Sequence, residues 1–146
     1  DITNEDVTKV AHNAAFERVC LSKYLNTKLD PKAWHCTMVH ALSLGFPASL
    51  ADVGKALNLE EDKQKMAVGK RLITYFCKPC KPTQANSQRT RNYPHHDPEK
   101  WDLFKEYNRQ DVVTEQAIYD RLMKFPLPES EQILYCLTMV SAWIQI

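Results

Sequence analysis

The sequence predicts an α/β domain that is mostly helical, with about two short strands of sheet. Two observations on the chain predict this. Helix-start signatures precede long periodic runs, Ser49-x-x-Asp52 ahead of Leu50, Val53 and Leu57, and Asp97-Pro98 ahead of the longest run of all. The β-prone stretches, by contrast, are brief: Val7 to Ala11 and Trp34 to Val39. A third observation bounds the size. The 146 residues, 44% apolar and 25% charged, suit one soluble domain with a modest core.

In chain order, Val7-Thr8-Lys9-Val10-Ala11 reads as a strand leading to a helix capped by Asn13 and reaching about Leu25. Phe16, Val19, Cys20 and Tyr24 fall at helical spacing along it. Asp30-Pro31 breaks the chain, and the second strand from Trp34 runs on into a helical turn through Leu44, stopped by Gly45 and Pro47. The Ser49 capping box opens a helix ending near Asn58, and another helix spans about Glu61 to Phe76, halted by Pro79. Residues 77–96, with three prolines and few large apolar side chains, read as a loop. The last helix runs from Pro98 to about Phe125, where Pro126 stops it. There is no internal repeat and no linker between domains.

The net charge of +1 conceals an asymmetry. From Lys63 to His96 there are eight basic residues and no acid, leaving the other eleven basic residues against all 18 acids elsewhere. A basic segment on an acidic body points to an anionic partner, nucleic acid first among them, against the plain alternative of a solvated loop. Five cysteines without regular spacing, no leader-like segment and no membrane-length apolar run fit reduced thiols in a cytoplasm. Cys77-Lys78-Pro79-Cys80 followed by His95-His96 lacks both the usual ligand spacing and a second cysteine pair, so zinc is disfavoured.

Two signatures carry the chemistry: His12-Asn13-Ala14-Ala15-Phe16-Glu17 and Tyr107-Asn108-Arg109-Gln110-Asp111. Each sets a polar group and an acid four residues apart, on one side of a helix. Acids presented by two helices to one cleft can hold hard, oxygen-seeking cations. The pair resembles the second and third motifs of the DnaQ-like 3′–5′ exonucleases. The wider text, including Trp34-His35-Cys36-Thr37-Met38, Lys78-Pro79-Cys80-Lys81-Pro82-Thr83 and His96-Asp97-Pro98-Glu99-Lys100-Trp101, resembles the exonuclease region of phage and prophage family A DNA polymerases from about Val7 to Glu131.

That resemblance implies a partial ribonuclease H-like domain over 1–131, part of a proofreading enzyme acting on single-stranded DNA 3′ ends beside a polymerase domain. It implies two Mg2+ or Mn2+ ions in the intact site. Asp111 would ligate a metal and Tyr107 would orient the attacking water. Glu17, where the family usually has Asp, would contact the second metal. Asn13 would fix the backbone or bind the strand, and Phe16 would pack below the site. Lys78, Lys81, Arg89 and Arg91 are the candidate phosphate contacts.

The family's first motif, Asp-x-Glu on an early strand, has no counterpart ahead of Asn13, so the chain reads as N-terminally truncated and inactive alone. The faces that the absent strands would cover are expected to be exposed. Residues 132–146 are an apolar tail that leaves the family text, and its codons admit a shifted reading that resumes it, which suggests a frameshifted gene. Two other readings stand beside the exonuclease. One is a catalytically dead nucleic-acid-binding remnant. The other is a helix-turn-helix regulator over Ser49 to Gln64, whose recognition helix would open with Glu60-Glu61-Asp62, the wrong sign for phosphate. His12, His35 and His40 have no motif role.

Overall fold

The computed structural model describes residues 1–59, 63–128, 130, 131 and 134, with the backbone alone for 63–67. The shifted tail and the acids that would open a recognition helix therefore lie outside the described residues, apart from those just named. The chain divides into two compact units, Asp1–Glu60 with Thr114–Ile146, and Glu61–Val113.

In the first unit, strand β1 (Lys9–Ala11) pairs in parallel with β2 (Trp34–Cys36), in register Lys9 to Trp34, Val10 to His35 and Ala11 to Cys36. A parallel pair needs a crossover, and helix α1 (Ala14–Leu25) supplies it. Asn13 stands at the head of α1 with φ 65° and ψ 47°, and its side chain makes no cap hydrogen bond. The asparagine thus starts the helix by tolerating the left-handed conformation, rather than by capping it through the side-chain oxygen. Asn26 ends α1 in the same conformation, its N–H bonded to the Lys23 and Ser22 carbonyls.

Asp30 caps a single 3-10 turn at Pro31–Ala33 by accepting from the Lys32 N–H, which aims the chain into β2. Helix α2 (Thr37–Ser43) follows without a loop, and Gly45, at φ 81°, turns the chain after it. Helix α3 (Leu50–Ala56) starts as its capping residue predicts, with Ser49 Oγ accepting from the Asp52 N–H at 3.1 Å.

Two apolar clusters hold this unit. Ala11, Ala14, Leu29, Ala33, Trp34, Cys36 and Val39 bury the inner side of the strands. Ala41, Val53, Ile118 and Leu122 join α2 and α3 to the last turns of the final helix. His40 is fully buried among them: its Nε2 bonds the Phe125 carbonyl at 2.6 Å and its Nδ1 faces His35 Nε2 at 3.2 Å. These histidines are internal struts that satisfy one another and the backbone.

The apolar stripe of α1 is not part of either cluster. Phe16 is 64% exposed, Val19 50% and Tyr24 83%, so the residues at helical spacing on this helix form an open apolar face.

The second unit is built on α4 (Lys63–Cys77) and the first turns of α5 (Pro98–Leu122), whose end lies in the first unit. Asp97 caps α5 by accepting from the Lys100 N–H, with Pro98 at the first helical position as the sequence predicts. Leu72 and Phe76 are buried, and Phe76 packs on α5, meeting Trp101 edge-on at 5.2 Å and stacking on Phe104 at 5.5 Å.

The segment between α4 and α5 is more ordered than its composition suggests. Thr83 and Asn86 cap each other around a 3-10 turn, and a second turn spans Pro94–His96. The Cys80 N–H donates to the Thr90 carbonyl at 2.8 Å. The buried Asn92 donates to the Tyr75 carbonyl and accepts from Arg89 Nε, both at 2.9 Å. One asparagine thus ties the loop to the end of α4. Among the described residues the cysteines form no disulfide.

Candidate functional site

Tyr107 and Asp111 lie one turn apart on α5, with the tyrosine hydroxyl close enough to the aspartate carboxyl for each to act on the other's ionisation. Both are half-buried. Burial raises the Asp111 pKa above the ordinary carboxylate value, opposed by the phenol's hydrogen bond. Burial also raises the Tyr107 pKa, helped by the negative charge and hydrogen bond of Asp111. The phenol therefore keeps its proton and offers it to the acid.

What holds Tyr107 in this position is a glycine that the motifs do not include. The ring lies against Gly69 of α4, where an added Cβ would stand 2.1 Å from the ring's Cε2 and 2.4 Å from its Cδ2. Only a residue without a side chain lets the helix backbone and the ring approach so closely. Phe104 runs nearly parallel to the Tyr107 ring, with centroids 6.5 Å apart. The pair is the end of an aromatic row through Phe104, Phe76 and Trp101.

The residues of the other signature sit in the first unit. Glu17 is half-buried on α1, and its Oε2 is buried with no hydrogen-bond partner among the described residues. Burial raises its pKa, opposed by its own backbone N–H. A carboxylate held this way is costly to charge unless a cation or donor reaches it. Phe16, expected to pack beneath the site, is exposed instead. Its place one residue before Glu17 turns it about 100° away on the helix.

His12 is structural: Nε2 donates to the Ala48 carbonyl at 2.7 Å, which leaves Nδ1 to accept from Thr37 Oγ at 3.0 Å. Burial lowers its pKa and keeps it neutral. The structure thus brings Tyr107 and Asp111 together, while Glu17 belongs to the other unit.

Among the described residues, no three His, Cys, Asp or Glu side chains group closely enough to hold a metal ion. Asp111 with one phenol oxygen is an incomplete set for a hard divalent ion, which takes about six oxygens. Two-ion chemistry does not fit these residues by themselves.

Of the four basic candidates, Lys78, Lys81 and Arg91 are exposed, and their side chains have no hydrogen-bond or ion-pair partner among the described residues. Arg89 departs from expectation: it is half-buried and bound to Asn92. The motifs did not reveal Gly69 and Asn92. The signal for Gly69 was a lone glycine inside a helical run, which needs a packing reason to stand there. Asn92, in a polar loop, gave no signal.

The chain is 53% identical over 136 residues to a DNA polymerase of Bacillus phage SP02, an alignment covering 93% of this chain and 21% of that protein. It is thus similar to a segment of a phage DNA polymerase and spans about a fifth of that relative's length. No family model matches the chain. No solved structure matches it. No helix among the described residues is long and apolar enough to cross a membrane.

Proposed function

We propose that this chain is the second-and-third-motif portion of a ribonuclease H-like 3′–5′ exonuclease domain, as found beside the polymerase domain in a phage-type replicative enzyme of the cytoplasm. The observation that carries the reading is the Tyr107–Asp111 pair on one face of α5, held by Gly69. It falls inside a text 53% identical to a phage DNA polymerase. A phenol that keeps its proton beside a half-buried carboxyl group is suited to orient a water between them: the acid accepts from that water, and the phenol fixes its position. Glu17, half-buried and with its Oε2 buried and unpartnered among the described residues, is the acid best prepared to gain from an arriving cation. Mg2+ or Mn2+ would supply electrophilic assistance at the phosphate in a completed site.

This chain should itself be a very poor nuclease, because Asp111 and Glu17 are too few anionic groups to concentrate two divalent ions. The test is degradation of a 3′-labelled single-stranded oligodeoxynucleotide with Mg2+ or Mn2+, alone and fused to a strand bearing Asp-x-Glu. Negligible loss alone, rescue by the fusion, and loss of rescue in Asp111→Asn and Glu17→Gln are expected. Fusions that remain active with both acids replaced would overturn the site. The ordered basic loop favours a second reading, in which the chain binds a strand without cutting it. Strand binding by a fusion that never cleaves would establish that one.

A further inference from the structure

The segment from Lys78 to His96 contains more than charge. Tyr93 is 51% exposed, and its ring lies nearly parallel to that of the exposed His95, centroids 5.9 Å apart at 5°. His96 completes the group, 4.1 Å from His95 and 5.7 Å from Tyr93. The turn that presents them is fixed by the Tyr93 N–H donating to His96 Nδ1 at 2.8 Å. Just upstream, the Cys80–Thr90 backbone bond and the contact of Cys80 Sγ with the Arg89 carbonyl at 3.4 Å bring the Lys78–Lys81 stretch beside Arg89–Arg91. Asn92 anchors all of it to α4. The result is a fixed group of open aromatic faces next to three exposed cations, in a stretch with no acid between Lys63 and His96.

We infer that Tyr93 and His95 form a stacking platform for a base of single-stranded DNA whose phosphates are met by Lys78, Lys81 and Arg91. The inference rests on the reading above for the class of ligand alone. Charge complementarity excludes an acidic surface's usual partners, and flat exposed rings accept any base through its π-face. A duplex keeps its bases stacked inside and offers such rings nothing. His96, with its pKa lowered by limited solvation and by Arg89 and His95, adds a neutral ring and no repulsion toward a base. The sequence alone gives the basic run, but only the fold brings the rings parallel and ties the cations beside them.

The experiment is fluorescence anisotropy of a short labelled oligothymidylate against an abasic strand of equal length and charge, in EDTA so that no metal site takes part. The wild-type chain should prefer the base-bearing strand by about fivefold or more, the low end of what one stacked base contributes. Tyr93→Leu and His95→Ala should abolish the preference, and Tyr93→Phe should keep it. Lys78→Gln and Arg91→Gln should weaken both strands alike and lower the log–log salt slope by about 0.7 each. Slow hydrogen exchange at the Cys80 N–H, unchanged in Tyr93→Leu, would show the loop intact. Equal affinity for the two strands, a preference that survives Tyr93→Leu, or one seen only with oligouridylate would each overturn the inference. These outcomes do not depend on Asp111, so cleavage and stacking fail separately.

Discussion

Replacing Gly69 by alanine is the sharpest test of how the site is built. In a solvent-facing helix the change should stabilise, because alanine exceeds glycine by about 1 kcal/mol in helix propensity. Here the new methyl would stand 2.1 Å from Tyr107 Cε2, whereas carbon atoms rest at about 3.5–4.0 Å. Ring or helix must move by more than about 1 Å. The ring is confined by Phe104 and the methyl meets it close to face-on, so the ring should swing out and lose Asp111. Overpacking of this kind costs about 1–3 kcal/mol, and the lost hydrogen bond about 1 kcal/mol more in a half-exposed site. The propensity gain offsets part of this, leaving a net loss of about 1–3 kcal/mol. Urea unfolding would measure it, with Gly54→Ala as control because a Cβ there meets nothing within 4 Å. A phenol titration supplies the local readout: Tyr107, freed from burial and from the Asp111 charge, should titrate closer to the ordinary tyrosine value. A Gly69→Ala chain that is as stable as Gly54→Ala, with the Tyr107 titration unchanged, would refute the close approach and the positioning role drawn from it.

Three further outcomes are expected. Tyr107→Phe keeps the ring on Gly69 but removes the hydroxyl that lowers the Asp111 pKa, so Asp111 should titrate higher still, read by carboxyl NMR chemical shift; a downward move would contradict the hydrogen bond. His35, lowered to about 4 by burial and by His40, favours its neutral form when folded, so its contribution to stability is present above about 6.5 and is lost as pH falls toward 4. After discounting for the water that reaches the ring, the loss should be roughly 1–2 kcal/mol, and His35→Gln should flatten that limb of the stability–pH curve. Asn92→Ala should strand the Tyr75 carbonyl and release Arg89, costing about 1–3 kcal/mol and speeding exchange at the Cys80 N–H; an unchanged rate would mean that the loop has another anchor.

How far the sequence went in predicting this molecule follows from which interactions are local. Ser49 with Asp52 and Asp97 with Pro98 are signals between near neighbours, and the helices they start appear where they were expected. The two short strands were legible too, though each is three residues long and shorter than its β-prone stretch, because a parallel pair extends only as far as both partners stay in register. The spacing of Tyr107 and Asp111 gave their pairing directly, since a helix places residues four apart on one face. Contacts between distant segments were not legible. Gly69 meets Tyr107 across 38 positions of sequence, and Asn92 meets Tyr75 across 17; neither partner announces the other.

The α1 stripe shows a different limit. Helical periodicity states that Phe16, Val19 and Tyr24 share a face, and it is correct in that, but it carries no information about what the face meets. The same distinction governs the basic run. Composition counts the cations between Lys63 and His96, while only the fold separates Arg89, half-buried and bound to Asn92, from the exposed Lys78, Lys81 and Arg91. A positive charge fastened to an internal amide is a brace for the loop; its neighbours, with no partner among the described residues, are the ones free to exchange counterions for phosphate. Neutralising Arg89 should therefore act mainly through loop order, and neutralising Arg91 mainly through salt-dependent binding, which assigns the two arginines of one short segment to different roles.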